Sequence, residues 1–453
     1  MADIAQLENE LNSFDPTERA DALCSIAGQI EAGETTVPGA KNEVNLHFHT
    51  FFSYNANGWS PSRIAWEAKK YGLAVAGIVD FDVLDGMEEF LAAGEIIDLR
   101  TTAALESRVF IKEYSDKVIN SPKEPGVSYF MGAGCFRLPD EGTHTARLLQ
   151  NMRVLASRRN VQMIDRINSY LGSVALDYDA DVTPLTPSGN ATERHILAAY
   201  DAKARQVFGD DKVALAQFWA TSLDMPYEDT ESLLANTPKF HDVMRNKLMK
   251  FGGVGYVAPT ADTFPPIEQV IEMVQGMEGL PMAAWLDGTN PGESDMLKML
   301  TLLEKKGVVA LNIIPDRNWN IKDPAEKLTK LDHLASAIRA ARKINFPICV
   351  GTEMNKIGLP FVDDFSAPEL APYINDFLDG AYFLWGHTFL ARAAGMGFAS
   401  EWARSHFGDD RPGKNSFYTR IGRLASAKKL RMVTSGANLR TASPTEILRL
   451  LQG

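Results

Sequence analysis

Two histidines one residue apart, His47 and His49 in "LHFHTFFS", are the first residues of this chain with an evident chemical use. Side chains alternate between the faces of a strand, so His-x-His sends both imidazoles the same way. Two neutral imidazoles joined by carboxylates make a donor set for zinc, manganese or iron. Carboxylates recur downstream, each after an apolar run. They are Asp80 and Asp82 in "AGIVDFDVLDG", Glu106 in "AALES", Asp287 in "AAWLDG", Asp316 in "LNIIPDRNWN" and Glu353 in "VGTEMNK". Arg317, Asn320, Asn355 and Lys356 stand beside the last two. A lone His-x-His is most often incidental surface polarity. Polar residues at the end of nearly every apolar run are harder to assign to chance.

Those apolar runs need elements to position them. Residues 1–43 read as a helical N-terminal extension: Asp15 caps a helix, Pro16 opens it and Glu18 sits in its first turn. "EAGETTVPGAKN" reads as a linker. From residue 44 the pattern turns to strand–helix alternation. "EVNLHFH" is a strand, "SPSRIAWEAKKYG" a helix capped by Ser60 and ended by Gly72, and "LAVAGIVD" a strand covered on both faces. Such βαβ units imply a parallel sheet or barrel, with functional side chains at the C-terminal ends of its strands. Residues 136–255 break the rhythm with helical periodicity (Leu148, Met152, Leu155, then Val161, Ile164, Ile167, Leu171) and read as a helical insertion. The alternation resumes over 256–400, and 401–453 reads as a C-terminal helical extension.

The stretch "HFHTFFSYNANGWSPSRIAWEAKKYGLAVAGIVDFDVLDG" resembles the opening of the PHP (polymerase and histidinol phosphatase) family of metal-dependent hydrolases, whose usual pattern is HxHxxxSDG…P…A…G…TDHDxxxG. "AALES" is similar to the family's G-x-E segment, "PICVGTEMN" to its Gly-Ser-Asp-x-His, and "PPIEQVIEMVQGMEGLPMAAWLD" to the stretch ending in Ala-His-Pro. Within the insertion, "SRRNVQMIDRIN" and "ERHILAAY" resemble parts of the cap of PHP nucleotide phosphoesterases. The resemblance covers roughly 44–357 and is most specific in its first fifty residues. It implies an α/β fold: a distorted (β/α)7 TIM-like barrel in two parts, 44–135 and 256–400, with the cap at 136–255 between them and helical termini.

The departures from the family bear on the chemistry. Family members commonly bind two or three metals. Here Asn57 replaces the Asp of SDG, and Phe81 replaces the ligating His of TDH. A further His position falls at Tyr129 or a neighbour, and that of Ala-His-Pro at Leu286 or Trp285. Glu353 and Asn355 take the late Asp and His positions. Phe and Leu cannot ligate a cation, and Tyr and Asn are poor replacements for imidazole. The resemblance implies that His47, His49, Glu106 and Glu353 hold one divalent ion, with Asp80, Asp287 and Asn355 as catalytic groups. It also implies that Arg194, His195 and Arg317 read an anionic group. Each has a plainer alternative. Asp80 is either a support for the histidines, a general base, or a strand-end Asp capping a loop. Arg194 and His195 are equally a solvated helix face, and the Arg317 loop an ordinary turn.

The bulk properties narrow the class. The 453 residues carry a net charge of −12 and 45 % hydrophobic content. That favours solubility and disfavours a nucleic-acid polymer, which needs a basic footprint; a small-molecule anionic substrate held by a few local arginines stays compatible with it. Three cysteines with no CxxC fit a reducing cytosol, and no signal peptide or membrane span is visible. Arg158 and Arg159 read as surface charge, His387 as a packed histidine, and His144, His241, His333 and His406 carry no role. "TSGANLRTASP" lacks the spacing of a phosphate loop. The expectation is a cytoplasmic metal-dependent hydrolase, phosphoesterase-like, with a single-metal site. The alternatives are a single-metal isomerase or lyase on a sugar-like or hydroxy-acid substrate, and a non-catalytic ligand-binding descendant.

Overall fold

The computed structural model describes residues 3–260, 263–430 and 439–452, so 434–438 of "TSGANLRTASP" lie outside the described residues. The chain is mixed α/β, built on seven strands hydrogen-bonded in sequence order. These are β1 (Val44–Phe48), β2 (Val75–Phe81), β3 (Thr101–Phe110), β4 (Val127–Ala133), β5 (Leu280–Trp285), β6 (Ala310–Ile313) and β7 (Ile348–Val350). The sheet nearly closes into a distorted barrel. Its seam is a parallel bridge between Phe48 and Glu353, where Glu353 N–H donates to His47 O at 2.7 Å and His49 N–H to Glu353 O at 2.8 Å.

One strand departs from the parallel arrangement that the βα alternation implies: β4 runs antiparallel to both β3 and β5. The connection over 111–126 holds only the short 3-10 turn Lys112–Tyr114. Without a crossover helix to return the chain to its starting end, the next strand pairs in the opposite sense. Hydrophobic periodicity carries no direction, so this reversal was not readable from the apolar pattern.

Two units are distinguished by their internal contacts. The first comprises Met1–Thr50, Asn55–Leu149 and Pro265–Gly453, and the second Phe51–Tyr54 with Gln150–Phe264. In the first, helices α1 (Ile4–Glu10) and α2 (Pro16–Glu31) are tied to α3 (Pro61–Tyr71) and α4 (Met87–Ile97). Arg19 forks onto both oxygens of Glu89 at 2.9 and 2.5 Å, and Trp66 Nε1 donates to Glu8 at 2.7 Å. The second unit is helical. Its helices include α5 (His144–Leu171), which begins in the first unit, then α6 (Glu193–Phe208), α7 (Lys212–Leu223), α8 (Tyr227–Leu234) and α9 (Thr237–Met244). Ile164, Ile167, Leu197, Tyr200, Trp219 and Phe240 lie at the centre of its core.

The barrel unit continues with α10 (Ile267–Gly276), α11 (Met296–Lys306), α12 (Asp316–Trp319), α13 (Pro324–Lys343), α14 (Ile374–Ala394), α15 (Glu401–Phe407) and α16 (Arg411–Leu424). Helix α14 is apolar on nearly every side and is buried accordingly. It lies across the barrel end where β3 begins and β4 finishes. Its Trp385 Nε1 and Arg100 Nε, just before β3, both donate to Ala425 O at 2.9 Å. No described helix is long and apolar enough to cross a membrane.

His387 in α14 is fully buried, with Nε2 2.9 Å from Gly134 O and Nδ1 accepting the Phe398 N–H at 2.8 Å. Burial pushes its pKa down to about 4. Between that value and about 6.5 the unfolded chain binds the proton and the folded one does not, so stability rises with pH across this window. We therefore expect the melting temperature to fall as pH is lowered from 6.5 toward 4. His387→Phe should be less stable at neutral pH but should show a shallower slope across the same window.

Candidate metal centre

The centre begins with β1. Asn45 and His47 share the face of β1 that the period of two dictates, His49 follows the strand's last residue, and all three are buried. Asn45 Oδ1 accepts the His47 N–H at 2.9 Å, while its Nδ2 donates to Thr352 Oγ1 at 2.7 Å and Phe361 O at 2.8 Å. This pins β1 to the segment after β7. The two segments approach so closely that a Cβ on Gly351 would lie 2.4 Å from His47 Cβ, and any side chain there would displace the histidine.

Glu106 enters from β3, in register with Phe81 of β2. Its Oε2 lies 3.6 Å from His47 Nε2 and 3.5 Å from His49 Nε2, and the three donor atoms all fall within 4.8 Å of one another. Relative exposures are 1 %, 0 % and 4 % for His47, His49 and Glu106. The separations are too long for good hydrogen bonds. They suit ligands sharing an ion, because donors about 2.0–2.1 Å from a metal at angles of about 109–120° are about 3.3–3.6 Å apart. His47 Nε2 is buried and makes no hydrogen bond. An ion is the partner that such an atom lacks, so the residues present fit a divalent cation.

The electrostatics agree with the geometry. Burial pushes the Glu106 carboxyl up, but the two imidazoles more than offset this and hold it at about 2. Burial pulls His47 down, and Glu106 outweighs it, leaving the His47 pKa raised. Orientation comes from Asn312 on β6. Its Nδ2 donates to Cys349 O at 3.4 Å, which turns Oδ1 toward His47 Nδ1 at 3.2 Å. An amide oxygen only accepts, so Nδ1 carries a proton, and in the neutral ring Nε2 is the nitrogen left to ligate an ion. We expect Asn312→Leu to weaken metal affinity about 10–100-fold with both histidines in place. Titration against a chelating dye measures this.

Phe81, where the resemblance implied that a ligating histidine is lost, stacks on His49 with ring centroids 4.3 Å apart and planes at 30°. The vacated position thus holds an apolar ring. Glu353, the expected fourth ligand, is paired with Arg317, Nη2 to Oε2 at 2.6 Å. Asp80 accepts from Thr50 N–H at 2.9 Å and Thr50 Oγ1 at 2.7 Å, holding the residue after His49. Asp287 follows β5. Burial raises its pKa, but Thr289 and Lys330 prevail and keep it below the usual carboxylate range. Asn355 is half-buried beyond β7. Arg194 and His195 belong to the helical unit. Arg194 pairs with Asp242 at 2.8 Å. His195 caps α6 by accepting the Thr192 N–H at 3.1 Å, packs edge-on against Tyr54, and is pushed down to about 4 by burial.

Three residues escaped the sequence reading. Asn45 and Asn312 are single polar residues inside otherwise apolar strands, "EVNLHFH" and "VVALNII"; that contrast was the available signal. Glu293 is 2 % exposed and accepts backbone N–H groups from Leu286, Asp287 and Gly288, which shapes the turn carrying Asp287. Burial pushes its pKa up to about 7. Nothing in its local sequence marks that role.

No protein-family model matches the chain, and no curated protein matches it. Among solved structures, the chain is similar to an amidohydrolase from Chromobacterium violaceum, determined with sulfate and no metal. That match has 14 % identity and a TM-score of 0.47, covering 74 % of this chain and 96 % of the other. It is also similar to a protein described as a metal-dependent phosphoesterase from Bifidobacterium adolescentis, with 17 % identity and a TM-score of 0.44, covering 76 % and 98 %.

Proposed function

We propose that this chain is a metal-dependent hydrolase of the PHP type, phosphoesterase-like, acting on a small anionic substrate through one divalent ion held by His47, His49 and Glu106. The observation that carries this reading is the buried trio of donors, spaced for an ion, with His47 Nε2 lacking any other partner. An ion held there would activate water and polarise a substrate oxygen. The chain's own residues do the rest. Asn312 sets the tautomer of His47, and Asp80 fixes the backbone after His49 through Thr50. Arg317 supplies positive charge after β6, and Asp287 and Asn355 are the polar groups proposed to meet the substrate.

Elemental analysis of protein purified without chelator, then soaked in zinc or manganese, tests the metal. One equivalent in the wild type and none in His47→Ala supports the reading; no bound metal in either overturns it. A hydrolysis screen of the metal-bound protein against phosphomonoesters, phosphodiesters and lactones then tests the reaction. A second reading, a single-metal isomerase or lyase on a hydroxy-acid, is favoured by one observation. The Phe81 ring on His49 fills a position that a two-metal phosphoesterase would need.

A further inference from the structure

Glu353 is held more firmly than an ordinary residue after a strand. Its N–H and C=O close the barrel seam on either side of Phe48, bonding to the backbones of His47 and His49. Glu353 and Met354 both adopt left-handed backbone, with φ of 67° and 51°, which non-glycine residues seldom do. Met354 O in turn accepts the Ala56 N–H at 2.9 Å. The backbone therefore determines how far the Glu353 side chain can reach. Its charge is felt at His47, yet its carboxylate is not in the donor set of His47, His49 and Glu106. It meets Arg317 instead, and the guanidinium also feels the charge of Glu106.

We propose that the Arg317 guanidinium is a resident cation of this site: by neutralising Glu353 it restricts the centre to a single metal ion and keeps Glu353 out of the ligand set. The inference rests on the metal centre proposed above. A divalent ion with one carboxylate and two neutral imidazoles carries a net charge of +1. A free Glu353 beside it would offer the negative charge that a second cation seeks. Arg317 satisfies that charge with a group that cannot be lost to deprotonation. Phe81, stacked on His49, acts in the same direction by presenting a ring where a further donor would be needed.

The same arrangement names the substrate class. Guanidinium has five N–H donors in a planar fork. Among the described residues, the Arg317 side chain donates only to Glu353, and it is 38 % exposed. Its remaining edge suits an oxyanion, phosphoryl or carboxylate, delivered next to the ion.

Zinc or manganese titration by calorimetry, with elemental analysis, tests the proposal on the full chain without any substrate. The wild type should take one equivalent. Glu353→Gln should also take one, with affinity lowered by no more than about tenfold, because it leaves the Arg317 charge uncompensated near the ion without removing a ligand. Arg317→Met should bind about tenfold tighter or take a second equivalent, since it leaves an uncompensated carboxylate near the ion. Arg317→Lys, which keeps the charge, should retain one equivalent. Loss of stoichiometric binding in Glu353→Gln would make Glu353 a ligand and overturn the proposal, and so would an Arg317→Met protein indistinguishable from wild type. Should Arg317→Met fail to fold, Glu353→Gln decides alone. Absence of metal from the wild type itself would instead remove the underlying metal reading, and the proposal with it.

Discussion

Alanine at His47 or His49, or glutamine at Glu106, is expected to abolish stoichiometric metal binding, a larger loss than the roughly 10–100-fold expected at the supporting Asn312. Each change removes one of only three protein donors, and among the described residues no other His, Cys, Asp or Glu completes the set. The consequence extends to stability. An ion that binds only the folded chain stabilises it by about 2.7 kcal/mol at a hundredfold excess over Kd. Wild-type protein should therefore melt at higher temperature with added zinc, whereas the variants should not respond. The metal-free proteins separate the roles further. His47 and His49 are what keep the Glu106 carboxyl ionised at about 2 while it is buried. Removing either should leave the buried charge only partly compensated, a loss approaching that of a broken buried pair, about 3–5 kcal/mol. Glu106→Gln removes the charge itself and should cost far less without metal, although it abolishes binding equally. Chelator-treated melting curves for the three variants, set beside their metal titrations, check both halves. Equal destabilisation of all variants without metal, together with zinc responses like that of wild type, would reduce the trio to a structural cluster.

How much of this was readable beforehand depended on the range of the interaction. The shared face of His47 and His49 follows from strand alternation alone, and the helix after β1 is capped by Ser60 as the sequence implied. The alternation of strands and helices implied a parallel sheet or barrel, and the family resemblance implied the barrel. The tautomer of His47 was not readable, because it depends on an amide on β6, 265 residues away in the chain. Glu353 illustrates the same limit. Its position after β7 invites a ligand role, and only the three-dimensional path of the β6 turn brings Arg317 to it. The direction of β4 was hidden because an apolar strand looks the same run either way. The split of the chain also differs in detail from composition: Phe51–Tyr54, shortly after β1, groups with Gln150–Phe264. Four residues carry no periodicity that could announce this. Phe52 O accepts from Asn190 Nδ2 at 3.0 Å, a contact between segments far apart in the chain.

Gly386→Ala in α14 is expected to cause a large loss of stability, and Gly28→Ala in α2 to cause none. Both glycines sit inside helices, where alanine is intrinsically the better residue by about 0.5–1 kcal/mol. Their surroundings decide the sign. A Cβ at Gly28 meets nothing within 4 Å, so the intrinsic preference should prevail and the variant should be neutral or slightly stabilised. A Cβ at Gly386 would lie 1.9 Å from Tyr418 O, and one at Gly422 would lie 1.9 Å from Tyr382 O. Those obstacles are backbone atoms of the opposing helix, so no rotamer change relieves them. The crossing of α14 and α16 must open, and α14 spans the barrel end opposite the metal centre. Overpacking typically costs about 1–3 kcal/mol where side chains can yield. Here the displaced element is helix backbone, which places the change among the rare substitutions above about 4 kcal/mol. Soluble yield and melting temperature of the two alanine variants, measured side by side, check the contrast. A Gly386→Ala protein that melts with the wild type would mean that α14 and α16 do not pack through their glycines. The same variant, if it folds at all, should bind metal less tightly, because Ile348 and Cys349 of β7 rest against α14 while β7 leads into the segment that pins β1.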